Sequence, residues 1–526
     1  LAGLPADFQP GERFNLATYF LDRHGASGSA RIALRMGDEL RTYGRLIERS
    51  RRVAAALRRA GVRPEERVLM ALPDGFEFAE TWFGVLRAGA VFAMVNPLLP
   101  AEEYEYYLRY TKARVAVVDR SLADTMLALR ERVPTLTHVW VVGAHAGNAT
   151  PYEQALQAED PGSTLAETEP TGPDDLAGWL FTSGSTGKPK ACVHRQLDFA
   201  YNTETYARQV VGYGPDDVCL GVPKLFFGYA TGTNLMFPLR FGGSAVLFPG
   251  RSTPDELFDQ ILRHRPTILT SVPTMIGQML RSPRLNDVDW SGLRAVLSAG
   301  EALPEELYLE WKRRTGAEIL DGIGSAEMFH IYISNRLGDV RSGSLGRLVP
   351  GYDARIVNAE GQALPDGEPG RLQVRGGSTA LCYWADRKKS VETFQGEWCT
   401  SADIFRRDPQ GYFYYEGRSD DLIKVSGIWV SPLEIENALL RHPAVAEVCV
   451  VPEEDRDRLV KPLAYVVLQP GQVGNEALAE ALKQHLKALL APHKYPRRFE
   501  WRTSLPKNDR GKIARKQLVD ELQAKP

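Results

Sequence analysis

The sequence predicts an α/β fold, with a large N-terminal body of mostly parallel sheets covered by helices, a small β-barrel-like part, and a small C-terminal α+β domain. Three observations predict it. Strand, helix, strand units recur before about Gly338, short β-like pieces broken by glycine and proline follow, and a compact mixed unit closes the chain. The first unit runs from an apolar strand at 67–72 through the turn "PDG" and a helix at 76–89 to a strand at 90–96. A helix at 101–113 then leads into a strand at 114–119, and a helix at 254–266 into a strand at 267–273. Residues 145–173, rich in Ala, Gly, Thr and Glu with four prolines, read as a loop. From 342 to 376 the pattern predicts a small antiparallel sheet or distorted barrel. A break at "GRSDD" divides the chain into domains at 1–419 and 420–526. Beyond it come one strand at 422–430, a helix from Pro432 capped by Ser431 and Glu434, strands at 446–452 and 462–468, and further helices.

Composition narrows the function classes. At 526 residues the chain exceeds what one hydrophobic core fills, so at least two domains are expected. A formal net charge of -2 removes the electrostatic case for nucleic acid or an anionic membrane as partner. The basic stretch at 49–61 sets Val53, Ala56, Leu57 and Ala60 at helical spacing among arginines and reads as a solvated helix face. Five cysteines without a C-x-x-C pair predict a reduced, cytoplasmic protein lacking a zinc site. No H-E-x-x-H occurs among the nine histidines, which excludes a metalloprotease at motif level. No apolar run approaches the ~18 residues of a membrane span.

The stretch "FTSGSTGKPK" at 181–190 carries the first chemical signal. It fails the Walker pattern twice, because Pro189 follows Lys188 where a hydroxyl is needed and Thr182 stands where the first glycine belongs. Its physics still suits a polyphosphate. Gly184 and Gly187 permit positive φ and so aim backbone N–H groups into one concavity, Thr182, Ser183, Ser185 and Thr186 add hydroxyls, and Lys188 and Lys190 add charge. A solvated Ser/Gly linker is the competing reading, weakened by the lysine pair leading into the apolar run "ACVH".

That loop, "SAGEALP" (298–304), "DGIGSAE" (321–327), "WCTSAD" (398–403), "GRSDDLIKVSGIWVSPLEIE" (417–436) and "LPKNDRGKIAR" (505–515) occur in the order found in adenylate-forming enzymes, the acyl-CoA synthetases, peptide-synthetase adenylation domains and luciferases. The chain resembles that superfamily over almost its whole length. The resemblance implies a two-step reaction in which a carboxylate attacks the α-phosphorus of Mg-ATP and a thiol then displaces AMP. It implies that Thr182 to Lys188 hold the β and γ phosphates, that Ala299, Gly300, Glu301, Asp321, Gly322 and Ile323 flank the adenine, and that Asp403 and Arg418 hold the ribose. Glu327 and Thr186 are the implied Mg²⁺ ligands, oxygen donors suited to a hard cation. Lys512 is the implied catalytic cation, placed where two anions must meet. Asp420 is the implied hinge of a mobile C-terminal domain, and Lys424, Ser426 and Gly427 the implied coenzyme A contacts.

Within the superfamily the chain looks most like the benzoate-CoA ligase group. Phe226, Phe227, Gly228, Tyr229, Gly324 and His330 are then the expected walls of an acid pocket, flat surfaces that suit a ring. Gly228 replaces an alanine common in benzoate ligases, which makes 2-aminobenzoate or a hydroxybenzoate an option beside benzoate. Two departures from the family pattern, Ala326 for a threonine and Ala402 for a glycine, suggest slower adenylation and a stiffened turn before Asp403. A carrier-protein thiol in place of coenzyme A, a medium-chain acyl-CoA synthetase, and a non-catalytic ATP-binding protein are the alternatives.

Overall fold

The computed structural model describes residues 3–25, 28–144, 147–157, 159–183, 188–418, 423–425, 428–454, 460–491, 494–507 and 513–524. An eight-stranded sheet runs in the order Cys382–Tyr383, Pro189–Arg195, Leu176–Ser183, Val91–Met94, Arg67–Ala71, Val115–Asp119, His138–Val142, Thr150–Pro151. It is parallel from Leu176–Ser183 onward and antiparallel at the other edge. A nine-stranded sheet runs Arg347–Leu348, Ile331–Ser334, Ile319–Gly324, Ala295–Ser298, Ile268–Ser271, Val218–Gly221, Ser244–Val246, Ile32–Met36, Glu39–Thr42, with parallel pairing through its centre. Strand, helix, strand alternation thus builds parallel sheets, because each helix returns the chain to the same edge.

The inner faces of both sheets share one core that includes Trp82, Phe92, Phe199, Phe237, Leu297 and Tyr332. The helix Phe76–Arg87 is buried at every position except Glu77, as an apolar helix between two layers must be. The helices Pro254–His264, Pro273–Arg281 and Glu305–Thr315 cover the outer face of the larger sheet, and Ala101–Thr111 and Ala123–Arg132 that of the smaller. A five-stranded antiparallel half-barrel follows, built on Asp353–Val357, Gly370–Arg375, Trp398–Arg407 and Phe413–Arg418. The C-terminal part folds the strands Val445–Glu454, Val460–Leu468 and Arg498–Arg502 against the helices Pro432–Leu440 and Glu476–Leu489 around its own core. Among the described residues no helix is long and apolar enough to cross a membrane. All five cysteines are free thiols; Cys192, Cys219, Cys399 and Cys449 are buried and Cys382 is half-buried.

Four local expectations need correction. The arginines at 49–61 form a solvated face only in part: Arg51 and Arg59 are exposed, the latter pairing with Glu159, whereas Arg49 is buried between Glu80 and Glu153 and Arg58 is half-buried against Glu169. Apart from Glu80, their partners lie in 145–173, which is not simply a loop but holds the helix Tyr152–Gln157 with Tyr152 in the core. The single strand at 422–430 is instead two short strands, Ile423–Val425 and Ile428–Val430, paired antiparallel. The cap of the next helix is half as expected. Ser431 accepts from the Glu434 amide, while the Glu434 carboxylate reaches Lys494 at 2.7 Å rather than returning to the cap.

The N-terminal segment is pinned by one carboxylate. Glu204, fully buried, accepts from Tyr19 Oη at 2.5 Å, from Arg240 at 2.8 Å and from Arg208 at 3.0 Å. Removing it leaves the Arg240 guanidinium, 14% exposed, without its counter-charge. Glu204→Ala is therefore expected to lower stability by about 3–5 kcal/mol, read as a fall in the urea midpoint; an unchanged midpoint refutes this account.

Candidate active site

The flanks of the phosphate-loop segment pair as antiparallel strands, Thr182 with Lys190 and Ser183 with Pro189. Gly184, Ser185, Thr186 and Gly187 lie outside the described residues, as do Asp420, Ser426, Gly427 and Lys512, and the side chains of Ser183, Arg418 and Lys424. A tyrosine-rich helix face braces the hairpin's second strand. Tyr106 donates to the Pro189 carbonyl at 2.7 Å, with Lys188 Nζ 5.4 Å from its ring centroid, and Tyr107 packs edge-on to Phe181. Lys190 is drawn the other way, to Asp386 at 3.1 Å.

Glu327 sits in a short turn held from several directions. Its Oε1 accepts from Tyr383 Oη at 2.6 Å, its carbonyl accepts from the Ala380 amide at 2.8 Å, and the preceding Ala326 carbonyl accepts from His194 Nε2 at 2.7 Å. His194, fully buried, also faces the Asp198 carboxylate through Nδ1 at 3.0 Å. Phe329, two residues after Glu327, lies at φ 66°, ψ -55°, a rare backbone for a residue with a Cβ and a sign of a turn set by its surroundings. One oxygen of Glu327 is thus occupied by Tyr383, and the other suits a cation. Among the described residues no group of three or more His, Cys, Asp or Glu could hold a metal by itself. This donor set fits Mg²⁺, which takes one or two carboxylates and otherwise phosphate and water oxygens.

The adenine candidates gather at the ends of two neighbouring parallel strands, where Ser298 stands beside Asp321. Gly300 adopts φ 91°, open to glycine. The Glu301 side chain is committed to Thr274, accepting from its hydroxyl at 2.7 Å and its amide at 3.1 Å, so only the backbone there is left for a nucleotide. Burial pushes the Asp321 carboxyl up to about 8, with the Glu301 charge adding and the Ser298 hydroxyl and Gly322 amide opposing. Its Oδ1 is buried and unpartnered. Asp403 and Arg418 are direct cross-strand neighbours, and the Ser401 hydroxyl bridges the Asp403 amide and carboxylate at 3.0 and 3.2 Å. The expected stiffened turn is absent, because residues 398–407 form one strand.

The acid-pocket residues are brought together. His330 lies in an aromatic cage of Tyr206, Tyr229, Phe237 and Phe329, with centroids 4.8–5.6 Å away. Its Nε2 donates to the Tyr229 carbonyl at 3.0 Å, which leaves Nδ1 as an acceptor, buried and unpartnered, like the Tyr229 hydroxyl. Burial lowers the imidazole to about 3, so it stays neutral. Gly324 is needed for close approach: a Cβ there meets the His330 carbonyl oxygen at 2.5 Å. Gly232, unmarked in the sequence analysis, makes room for the His330 ring, which a Cβ meets at 2.5 Å. Phe226 and Phe227 are half-buried, their rings 4.5 Å apart, and Phe226 also packs on the core. The methyl absent from Gly228 points at Leu180, 3.3 Å from the ideal Cβ, so any extra room is bounded on that side.

Two further groups escaped sequence reasoning. Asp74, in the turn "PDG", accepts from the Leu225 amide at 2.7 Å, and Lys224 donates to the Phe248 carbonyl at 3.0 Å over that ring. This buried pair fixes the start of the pocket segment. Burial raises Asp74 to about 6 and lowers Lys224 to about 8. The other is Tyr383, whose only sequence signal is a tyrosine in an otherwise unremarked stretch.

Residues 21–384 match the family described as AMP-binding enzyme, and residues 434–512 the AMP-binding enzyme C-terminal domain. A benzoate–CoA ligase of Thauera aromatica is 44% identical over 510 residues, 96% of each chain. An anthranilate CoA ligase solved in complex with anthranoyl-AMP superposes with a TM-score of 0.92 at 37% identity, covering 97% of this chain and 98% of that one. A benzoate CoA ligase from Burkholderia xenovorans LB400 gives 0.88 at 40% identity, covering 96% and 99%.

The Asp321 carboxyl generates a pH prediction. The folded chain keeps its proton between the ordinary value of 3.8 and about 8, whereas the unfolded chain releases it. The fold therefore loses stability as pH rises through that window. Denaturant midpoints from pH 5 to 8 should fall for the parent relative to Asp321→Asn; parallel curves contradict the assignment.

Proposed function

The chain belongs to the AMP-binding enzyme family, and from that premise we propose that it is an AMP-forming acid–thiol ligase acting on aromatic acids. It adenylates the acid with ATP, releasing pyrophosphate, and transfers the acyl group to coenzyme A, releasing AMP. The observation that carries the aromatic reading is the cage around His330, in a chain similar over its whole length to benzoate and anthranilate CoA ligases. A more specific reading follows from His330 Nδ1, an acceptor left open by the Nε2 bond to Tyr229. It favours a ring bearing an N–H or O–H donor, such as 2-aminobenzoate or a hydroxybenzoate, over unsubstituted benzoate, because an unmet buried acceptor costs about 1–3 kcal/mol.

In this proposal the hairpin at 182–190 grips the β and γ phosphates, with Tyr106 bracing its second strand. Glu327, oriented by Tyr383, with Thr186, holds Mg²⁺, which when bound neutralises charge on the phosphates. Asp403, bridged by Ser401, and Arg418 take the ribose hydroxyls. Lys512 supplies the cation where acid and α-phosphate approach. A domain boundary at 419 and 420, with Asp420 as hinge, lets the C-terminal part withdraw Lys512 and bring Lys424, Ser426 and Gly427 to the thiol route. A cytoplasmic location goes with this reading, and loading of a carrier-protein thiol is the alternative acceptor.

Exchange of labelled pyrophosphate into ATP, scanned over benzoate, 2-aminobenzoate, hydroxybenzoates and a medium-chain fatty acid, tests the proposal; exchange with the fatty acid alone, or with none, defeats it. Lys512→Ala should lose about 10²–10³-fold in acid-dependent adenylation yet still convert supplied acyl-adenylate to thioester; equal loss of both steps removes the assigned role. Tyr383→Phe should raise the Mg²⁺ concentration needed for half-maximal ATP binding by calorimetry about 10–100-fold, and an unshifted Mg²⁺ dependence argues against Tyr383 as the orienting group.

A further inference from the structure

A cleft of about 410 Å³ lies where the Arg347–Leu348 edge of the nine-stranded sheet meets the half-barrel, lined by Arg336, Arg347, Leu348, Arg407, Gly411 and Phe413. None of these belongs to the candidate active site. Arg407 ends the strand that carries Asp403, four residues away, which at ~3.3 Å per residue sets the two ~13 Å apart.

Three guanidiniums on one small cleft repel each other unless each is neutralised. Arg347 pairs with Asp339, and Arg407 donates through Nε to Asp366 Oδ1 at 2.6 Å. Arg336 donates Nη2 to the Leu348 carbonyl at 2.8 Å and makes no ion pair among the described residues. Each guanidinium thus commits one nitrogen to the protein, and among the described residues the other two nitrogens of each have no protein acceptor. Arg336 is half-buried, and burial, then the Arg347 charge, lowers its affinity for its proton. A desolvated cation beside two others, with N–H donors to spare, is stabilised by an incoming anion.

We propose that this cleft is an oxyanion site that takes a phosphate group, free or as an ester. Guanidinium forks match phosphate oxygens in pairs, which ammonium groups do not. Leu348, half-buried at the cleft, supplies apolar surface on which the organic part of an ester can lie. The inference stands apart from the aryl-CoA ligase reading, since it uses none of that site's residues.

Calorimetric titration of the full chain at low ionic strength, with inorganic phosphate and with phenyl phosphate, tests it. Saturable binding is expected, weakened at least tenfold in both Arg336→Gln and Arg407→Gln and unchanged in Arg313→Gln, an exposed arginine outside both sites. Thermal unfolding shows that the variants remain folded, and Arg407→Gln spares the Arg336 bond to Leu348 should loss of that bond impair folding. Tighter binding of phenyl phosphate assigns the site to an ester, and tighter binding of inorganic phosphate to the free ion; either order sustains the proposal. No saturable binding, equal binding by parent and both cleft-arginine variants, or an equal loss in Arg313→Gln overturns it.

Discussion

A buried imidazole joins the two large sheets where the chemistry is placed. His194 is the penultimate residue of the hairpin's second strand, Pro189–Arg195, and it spans from the Asp198 carboxylate to the Ala326 carbonyl beside Glu327. Both ring nitrogens face acceptors, so neither can turn away without leaving a buried oxygen bare. Asp198 is itself held by three bonds from Arg195. A shift of one sheet against the other would have to break this chain of charge-assisted bonds inside a dry core, where each counts for more than at the surface. The strand Pro189–Arg195 and the turn that carries Glu327 are therefore kept in one frame although they belong to different sheets.

Around that frame the molecule carries buried polar atoms that find no partner among the described residues. Asp321 Oδ1, His330 Nδ1 and the Tyr229 hydroxyl are all enclosed. Native interiors rarely tolerate such atoms, and a ligand or an ordered water is among the partners that can complete their bonding. Their grouping is informative: Asp321 lies at the end of a parallel strand beside Ser298, while Tyr229 and His330 form part of the aromatic cage. A nucleotide base and an aromatic acid are the guests that the two environments suit.

The layered architecture was readable from the sequence because period and turn chemistry are local properties. The units at 67–96 and 254–273 form as read, and Ser431 caps its helix as expected. Failures came where a distant partner decides. The arginines at 49–61 look like solvent charges until Glu80, Glu153, Glu159 and Glu169 fold against them. Tyr383 orients Glu327 across 56 residues, and Asp74 steadies Leu225 across 151, and neither pairing leaves a mark in spacing. Motif residues such as Gly324 and His330 could be named, but not why the glycine is required: the strand at 331–334 passes too close for a side chain. The strand at 422–430 was misread because its apolar run conceals a reversal.

The enclosed thiols have a practical corollary. With four cysteines shut inside and Cys382 partly shielded at a sheet edge, a maleimide dye meets little competition from native sulfur. Fluorophores on two introduced surface cysteines, one on either side of residue 419, can therefore report rearrangement between the segments as a change in energy transfer, with the parent background left intact.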